Sequence, residues 1–462
     1  MRFRSVNLTV KDICEKIWSL EEKYDLLHND IQGVKIWQLL RMELYYEIAQ
    51  KTGVFGQPHS VRNTVADKMK ALAGLVYNSL MKNPLRGSYT KKVLIFDHPR
   101  KKKHNGIYID IYTKPLINSF SAEDILILEE PYLYQHVTAT EDNRKYMDYL
   151  QLLTFAIKKL YPIRFNQQDI LFIHKLENEL YKLFDISLDL HKKFADTVKR
   201  YKIQYKLYDH LLQKLKPEKI YVVVSYSHGA LIAAAKHNHI PVIEIQHGTM
   251  SPYHLGYSFP NGEQGLEYFP DYLYLFGDYW AKSIKLPIAR DKIVAYGFPY
   301  FSKTKQQYQG ITKKERQLLF LSQGVIGKEL AKFAYNAAQV LTDYQIVYKL
   351  HPGEYDRWKA EYEELNVAQT LENFVIIDND EVNLYQYLAE SPYQIGVFST
   401  AIYEGIAFQC KTILVDLPGL EYMNYLIDGN FAQKVSSMEE LRQVLEQNEC
   451  KEIDIDYFFA HI

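Results

Sequence analysis

Apolar residues change their spacing twice along the chain. Across residues 1 to 88 they recur every three to four positions. The run Val34-Lys-Ile-Trp-Gln-Leu-Leu-Arg-Met-Glu-Leu-Tyr-Tyr-Glu-Ile carries one apolar face, the pattern of an amphipathic helix. Asp67 to Tyr77 is a second such piece, with lysines on its polar side, and Asn83-Pro84 and Arg86-Gly87-Ser88 interrupt it. From Lys91 onward the pattern becomes short apolar runs, Val93–Phe96, Ile125–Leu128, Ile220–Val224 and Val242–Ile245, with helical stretches near 143–160 and 175–215. Pro252, Gly256, Pro260, Gly262, Gly265 and Pro270 make 251–270 read as a linker. A second series follows: Tyr272–Phe276, Lys292–Ala295, Leu318–Leu321, Gln345–Tyr348, Asn373–Ile377, Gln394–Phe398 and Thr412–Val415. Short buried strands alternating with helices imply parallel, doubly wound sheets. The expected class is α/β. It has a helical region over 1–88, one doubly wound domain over 89–260 and another over 261–462.

Composition narrows the function. A chain of 462 residues is too long for one hydrophobic core. A net charge of -1 provides no global field for nucleic acid, so none is expected as a partner. The 39 tyrosines suit sugar binding, since an aromatic face packs on sugar C–H bonds; a coding bias toward Tyr, Lys, Ile and Asn explains them equally well. Three widely spaced cysteines, Cys14, Cys410 and Cys450, fit a reducing cytoplasm better than a disulfide framework or a zinc site. The first residues lack the apolar core of a signal peptide. No run approaches the roughly 20 apolar residues of a spanning helix. The expected location is the cytoplasm. Peripheral contact with the inner face of the membrane is expected through the amphipathic helix at 67–82 and the basic run Arg100–Lys103.

Candidate chemistry lies directly after the strands. In open parallel sheets, ligands bind beyond the carboxyl ends of the strands. Lys349-Leu350-His351-Pro352 follows one strand, and Pro352 keeps His351 out of a helix. There an imidazole can donate to a leaving phosphate, or simply cap the strand. Ser399-Thr400 precedes a helix whose free N–H groups suit an anion; an ordinary N-cap accounts for the same residues. Glu404, on the first turn, can accept ribose hydroxyls or pair with the helix dipole. Ser322-Gln323-Gly324 is another strand–loop–helix turn and joins the donor-side set. His247, in Gln246-His247-Gly248-Thr249, can act as a base or serve as a turn histidine. His228 is expected to line the cleft. Asp97 and Arg100 are expected at the acceptor, with guanidinium suited to phosphate or carboxylate. The lysines at 101–103 are expected in a solvated loop. Asp378-Asn379-Asp380 has the look of a metal-binding DxD motif, but its place after a strand is explained by a turn. No zinc spacing is present, and no metal site is assigned.

Together, Gln246-His-Gly-Thr, Lys349-Leu-His-Pro and Phe398-Ser-Thr-x3-Glu404 resemble the motif set of bacterial surface-polysaccharide transferases of the GT-B class. Two groups are similar: the CDP-glycerol glycerophosphotransferases, and the CMP-sugar sialyl-, polysialyl- and Kdo-transferases. The resemblance spans roughly residues 220–420. It implies two domains facing a cleft, with His247 as base, His351 on the donor phosphate, Ser399 and Thr400 as phosphate-binding hydroxyls and Glu404 at the ribose. It also implies a nucleotide-activated donor, with CMP or CDP favoured over UDP, a saccharide or lipid-linked saccharide acceptor, and neither resident cofactor nor metal. Gln246 stands where the glycerophosphotransferases have an aromatic residue, and Met250 follows Thr249 in place of proline. Besides sugar transfer, polyol-phosphate transfer, nucleotide-sugar epimerisation on the same fold and a non-catalytic assembly role stay open.

Overall fold

The computed structural model describes residues 8–55, 64–87, 90–104, 106–133, 135–138, 143–447 and 453–461. Its strands form two large parallel sheets. The first holds β1 (Val93–Asp97), β2 (Ile125–Glu129), β3 (Arg144–Tyr146), β4 (Lys219–Val223), β5 (Val242–Ile245), β6 (Tyr272–Leu275) and β7 (Ile293–Ala295) in the spatial order β3-β2-β1-β4-β5-β6-β7. The second holds β8 (Gln317–Leu321), β9 (Gln345–Lys349), β10 (Phe374–Ile377), β11 (Tyr393–Gly396), β12 (Lys411–Val415) and β13 (Gln433–Val435), ordered β10-β9-β8-β11-β12-β13. In each sheet the chain starts in the middle, winds to one edge, then returns and winds to the other. Each therefore has a switch point, between β1 and β4 and between β8 and β11, where adjacent loops part and leave a crevice. Two doubly wound domains of this kind are the GT-B architecture.

The strands are continuous apolar runs because both sheet faces are covered. Alternate residues of the first sheet divide between two cores. Leu94, Phe96, Leu126, Leu128, Ile220 and Val222 join the large core. Val93, Ile95, Ile125, Ile127, Tyr221 and Ile243 close against Leu116 and Ile117. Many tyrosines serve packing: Tyr45, Tyr257, Tyr279, Tyr348, Tyr385 and Tyr403 are among the largest fully buried side chains.

The change of sheet differs from the expectation at 260. Tyr272–Leu275 pairs with β5, with Ile243 opposite Tyr272, and Ile293–Ala295 pairs with Tyr272–Leu275 in turn. Both strands read above as second-domain elements thus extend the first sheet, and the crossing falls between Ala295 and Gln317. The breaker-rich stretch 251–270 is a long excursion between two strands of one sheet. Its Leu255, Tyr257, Phe259, Leu266 and Phe269 are buried. Three N-terminal helices, α1 (Val10–Tyr24), α2 (Ile36–Lys51) and α3 (Val65–Met81), are present. Arg41 on α2 pins the excursion: it pairs with Glu21 at 2.6 Å and 2.9 Å, donates to the Ser258 carbonyl at 2.9 Å and to that of Leu255, and lies over the Phe259 ring. Tyr45 of the same helix bonds Tyr422 of the second domain, so this region braces both halves.

β3 lies within the stretch expected to be helical from 143. Arg-Lys-Tyr shows no apolar run, and Arg144 is buried by ion pairing rather than by hydrophobicity. The helix Met438–Gln447 stays on the second domain, where Arg442 donates to the Val340 carbonyl at 3.0 Å. The final residues cross back instead. Trp280 donates to the Phe458 carbonyl at 2.9 Å, and the Ala460 N–H to Phe276 O at 2.7 Å. Gly277 permits this approach, since a Cβ there would sit 2.5 Å from the Tyr457 carbonyl oxygen.

Candidate active site

Each loop singled out by sequence follows the carboxyl end of a strand, and the two domains touch through them. The Thr249 N–H donates to Thr400 Oγ1 at 3.1 Å, and the two threonine hydroxyls lie 3.2 Å apart. The helix Thr400–Ala407 is capped by Ser399, whose Oγ accepts from the Ala401 N–H at 3.2 Å. Ser399 thus acts as an N-cap, while Thr400 joins this second-domain helix to the His247 loop. Gln246 sets the shape of that loop: its side chain donates to the Gly248 carbonyl at 2.8 Å and accepts the Phe276 N–H at 2.7 Å. An aromatic residue in its place could not make this pair of bonds.

His247 lies among rings. His98 stacks at 6.0 Å between centroids, and Tyr112, Tyr226 and Tyr257 surround it at 6.3 Å, 6.4 Å and 6.5 Å. Tyr257 donates to Glu244 at 2.5 Å, and its oxygen lies 3.5 Å from His247 Nδ1. A tyrosine that donates to the Glu244 carboxylate favours accepting from a protonated Nδ1. This leaves the Nε2 lone pair as the basic site. Burial, then the positive character of His98, His254 and Arg100, pushes the His247 imidazolium down to about 3. The ring is neutral at physiological pH, and an anionic ligand would oppose that shift by adding negative charge.

His351 has the complementary tautomer. Its Nδ1 accepts the Gly353 N–H at 3.1 Å, so its proton sits on Nε2, the arrangement of a donor to phosphate. Glu354 locks this loop: it accepts from the His351 N–H at 2.7 Å, Ser322 Oγ at 3.0 Å and the Tyr362 hydroxyl at 2.7 Å. Burial holds His351 below its ordinary range, and Arg100 and Lys349 add to the effect. Arg100, an exposed residue of the loop after β1, acts on both histidines.

Other expected site residues have structural partners. Lys349 is buried and donates to the Asn379 carbonyl at 2.9 Å and Asp380 at 3.2 Å, and bonds the Tyr355 hydroxyl. The Asp378–Asp380 stretch is thereby a turn tied to Lys349, with Asp378 accepting from Trp358 at 3.1 Å. Ser322 is bonded to Glu354 and Tyr348. Gln323 is placed differently, because its Oε1 is buried with no hydrogen-bond partner among the described residues. His228 packs on Phe96 at the start of the helix Gly229–His237.

Asp97, expected at the acceptor, lies in a buried ion network. Arg144 reaches it at 2.5 Å and Glu129 at 2.6 Å, and Lys101 pairs with Asp97. His136 bridges Glu129 at 2.9 Å and Asp148 at 2.7 Å. Lys101 is thus not solvated: its side chain is 1% exposed. The role of this network is to hold the β1, β2 and β3 ends beneath the His98–Arg100 loop. Asp110 fixes that loop from the other side, accepting the His98 N–H at 2.7 Å.

Glu404 is buried and accepts from the Tyr385 hydroxyl at 2.9 Å. Lys102 of the first domain lies 5.5 Å from the Tyr385 ring. Burial raises the Glu404 carboxyl to about 7, partly offset by Lys102 and Tyr385. A carboxyl raised above its ordinary 4.5 contributes fully to stability below that value, and the contribution is lost as pH rises through about 7. Glu404→Gln should therefore be more stable than wild type at pH 8, by about 3 kcal/mol, and equal to it near pH 4.5. Melting curves at both pH values check this; a Gln variant that is less stable at pH 8 refutes it.

Sequence reading missed Glu244, Tyr257, His98, Glu354 and Lys102. Glu244 had a visible signal, a lone carboxylate in the apolar run Val-Ile-Glu-Ile. Tyr257 was hidden among the tyrosines of a stretch read as linker. Among the described residues no group of three or more His, Cys, Asp or Glu is arranged to hold a metal ion.

No family model and no curated protein matches the chain. Solved structures do. The UDP-GlcNAc 2-epimerase of Methanocaldococcus jannaschii is 13% identical, with TM-score 0.46, covering 80% of this chain and 96% of that one. The Neisseria meningitidis UDP-GlcNAc 2-epimerase, bound to UDP-GlcNAc, is 13% identical with TM-score 0.41, covering 77% and 92%. A spinosyn rhamnosyltransferase is 13% identical with TM-score 0.42, covering 77% and 91%.

Proposed function

We propose that the protein is a nucleotide-sugar-dependent transferase of surface-glycan assembly, moving a sugar to a saccharide hydroxyl. The observation that carries this reading is the pair of histidines on strand-end loops of the two domains, whose partners favour opposite tautomers. His247 offers a lone pair to an acceptor hydroxyl, and His351 offers a proton to a leaving phosphate. Deprotonation by His247 makes the acceptor oxygen a better nucleophile. His351 Nε2–H, Arg100 and the N–H groups at the start of Thr400–Ala407 offset the charge that develops on the phosphate. These groups allow the leaving charge to be met without a metal. Gln323 Oε1 is a ready acceptor for a donor N–H. CMP- or CDP-linked donors are favoured by the motif resemblance, and the same machinery suits transfer of a polyol phosphate.

Epimerisation of a nucleotide sugar is the second reading, because Glu404 is a buried carboxyl whose pKa of about 7 suits moving a carbon-bound proton. Transfer releases nucleotide only when an acceptor is present, whereas epimerisation interconverts the donor without one. A thermal-shift screen of CMP, CDP, UDP and GDP comes first. The matching nucleotide, at about 100 times its Kd, should stabilise the protein by about 2.7 kcal/mol. If none of the four raises the melting temperature, the nucleotide-donor reading fails.

A further inference from the structure

We propose that α3 and the helix Asp148–Lys158 together form a docking surface for an anionic lipid bilayer. The two helices pack along each other, and Asn78 donates to Asp148 at 3.0 Å. On α3 the packed side is narrow, with Ala71, Leu75, Asn78 and Ser79 on it. The rest of the pair exposes large apolar side chains: Met69, Leu72, Tyr77 at 61% and Leu80 on α3, then Phe155 at 63% on the second helix, with Leu160 at 81% in the turn just after it. Isolated exposed apolar residues are ordinary, but a cluster on adjoining helices marks an interaction surface.

Charge selects the occupant. Each helix has one carboxylate in its first turn, Asp67 and Asp148, the latter engaged by His136 and Asn78, and beyond them Lys68 to Arg86 contains four basic residues and Tyr149 to Gln168 three, with no further carboxylate. Lys158 pairs with Asp196 at 3.1 Å, while Lys68, Lys70 and Lys159 flank the apolar face as exposed cations. Apolar side chains rimmed by exposed cations fit the boundary between acyl chains and anionic headgroups. No helix among the described residues is long and apolar enough to cross a membrane, so the surface lies on the bilayer. Of the expected basic run, Lys101 is taken out by burial in the ion network. That network joins the helix pair to the candidate site: Asp148 holds His136, which holds Glu129, which pairs with Arg144 beside Asp97. A lipid-borne acceptor rests on the transferase reading; bilayer binding itself does not.

Flotation of the full chain with phosphatidylglycerol-containing vesicles, against pure phosphatidylcholine vesicles, tests the proposal. Wild type should float with the anionic vesicles and less so at high salt. Lys68→Gln/Lys70→Gln/Lys159→Gln should bind roughly 10–100-fold more weakly, and Leu72→Ser/Tyr77→Ser/Phe155→Ser should lose binding, both with unchanged melting temperature. Should the serine variant melt early, the glutamine variant decides. Absence of flotation with anionic vesicles overturns the proposal, as does equal flotation of wild type and the glutamine variant. Conversion of a dimer to a monomer by the serine substitutions, without vesicle binding, would assign the surface to a second copy and also overturn it. Nucleotide binding is read separately by the thermal-shift screen, so failure of one reading leaves the other standing.

Discussion

Replacing His247 by alanine should lower kcat by about 10²–10⁴-fold and leave nucleotide affinity nearly unchanged. The base acts on the acceptor hydroxyl, and its removal takes away an interaction made only as the proton moves. His351→Ala should impair nucleotide binding and turnover together, because its partner is the phosphate. Tyr257→Phe separates a base held in place from a histidine that merely sits in a turn. The variant removes the hydroxyl that accepts Nδ1–H and frees the other tautomer, so kcat should fall while KM holds, and the pH profile of kcat should move. The neutral His247 of the empty site, at about 3, should titrate higher once an anionic donor is bound. The acid limb of kcat then lies above the value for free enzyme. Nucleotide titrations and steady-state rates with the identified donor decide the matter. Near-wild-type turnover of His247→Ala places the base elsewhere. Asp97 is then a poor substitute, since Arg144 and Lys101 already engage it.

The second large effect concerns folding. Arg144→Met should destabilise the protein by about 3–5 kcal/mol, the usual cost of removing one partner from a buried charge pair. Arg144 is 4% exposed and bridges two carboxylates, Asp97 and Glu129. Burial raises Asp97 to about 6. Glu129 is held near 2 against its own burial by His136, Lys101, Arg144 and Thr138. Without the guanidinium, Asp97 is left with Lys101 alone and Glu129 with His136 and a distant Lys101. Adding Asp97→Asn to the variant should recover part of the loss, because one uncompensated charge disappears. Urea unfolding of the single and double variants measures both steps. A loss below about 1 kcal/mol for Arg144→Met would show that the network carries little stability.

The local pattern of the chain already contained most of the strands and nearly all of the loops that bear chemistry. Continuous apolar runs such as Val93–Phe96 and Leu318–Leu321 are buried on both faces, and this requirement is written into the residues themselves. The loops after them were legible because a strand followed by Pro, Gly or Ser-Thr has few other conformations. Arg144–Tyr146 was not legible, since a three-residue strand buried by ion pairing leaves no hydrophobic signature. The sheet membership of Tyr272–Leu275 was also hidden. Strand pairing is a long-range choice, and residues 251–270 look like a hinge until their apolar side chains meet α2.

The sequence by itself determined the class of the fold, the helical N-terminal region and the strand-end positions of His247, His351, Ser399 and Thr400. Only the tertiary structure decided what each group can do. It gave Lys349, Asp97 and Ser322 to structural partners, joined Thr400 to Thr249 across the two domains, and favoured opposite tautomers on the two histidines through Tyr257 and Gly353. Apolar periodicity reflects burial, which each residue carries in its own chemistry. Hydrogen-bond partners and protonation depend on groups distant in sequence, such as His98 and Arg100 for His247 and Glu354 for Ser322, which only folding brings within reach.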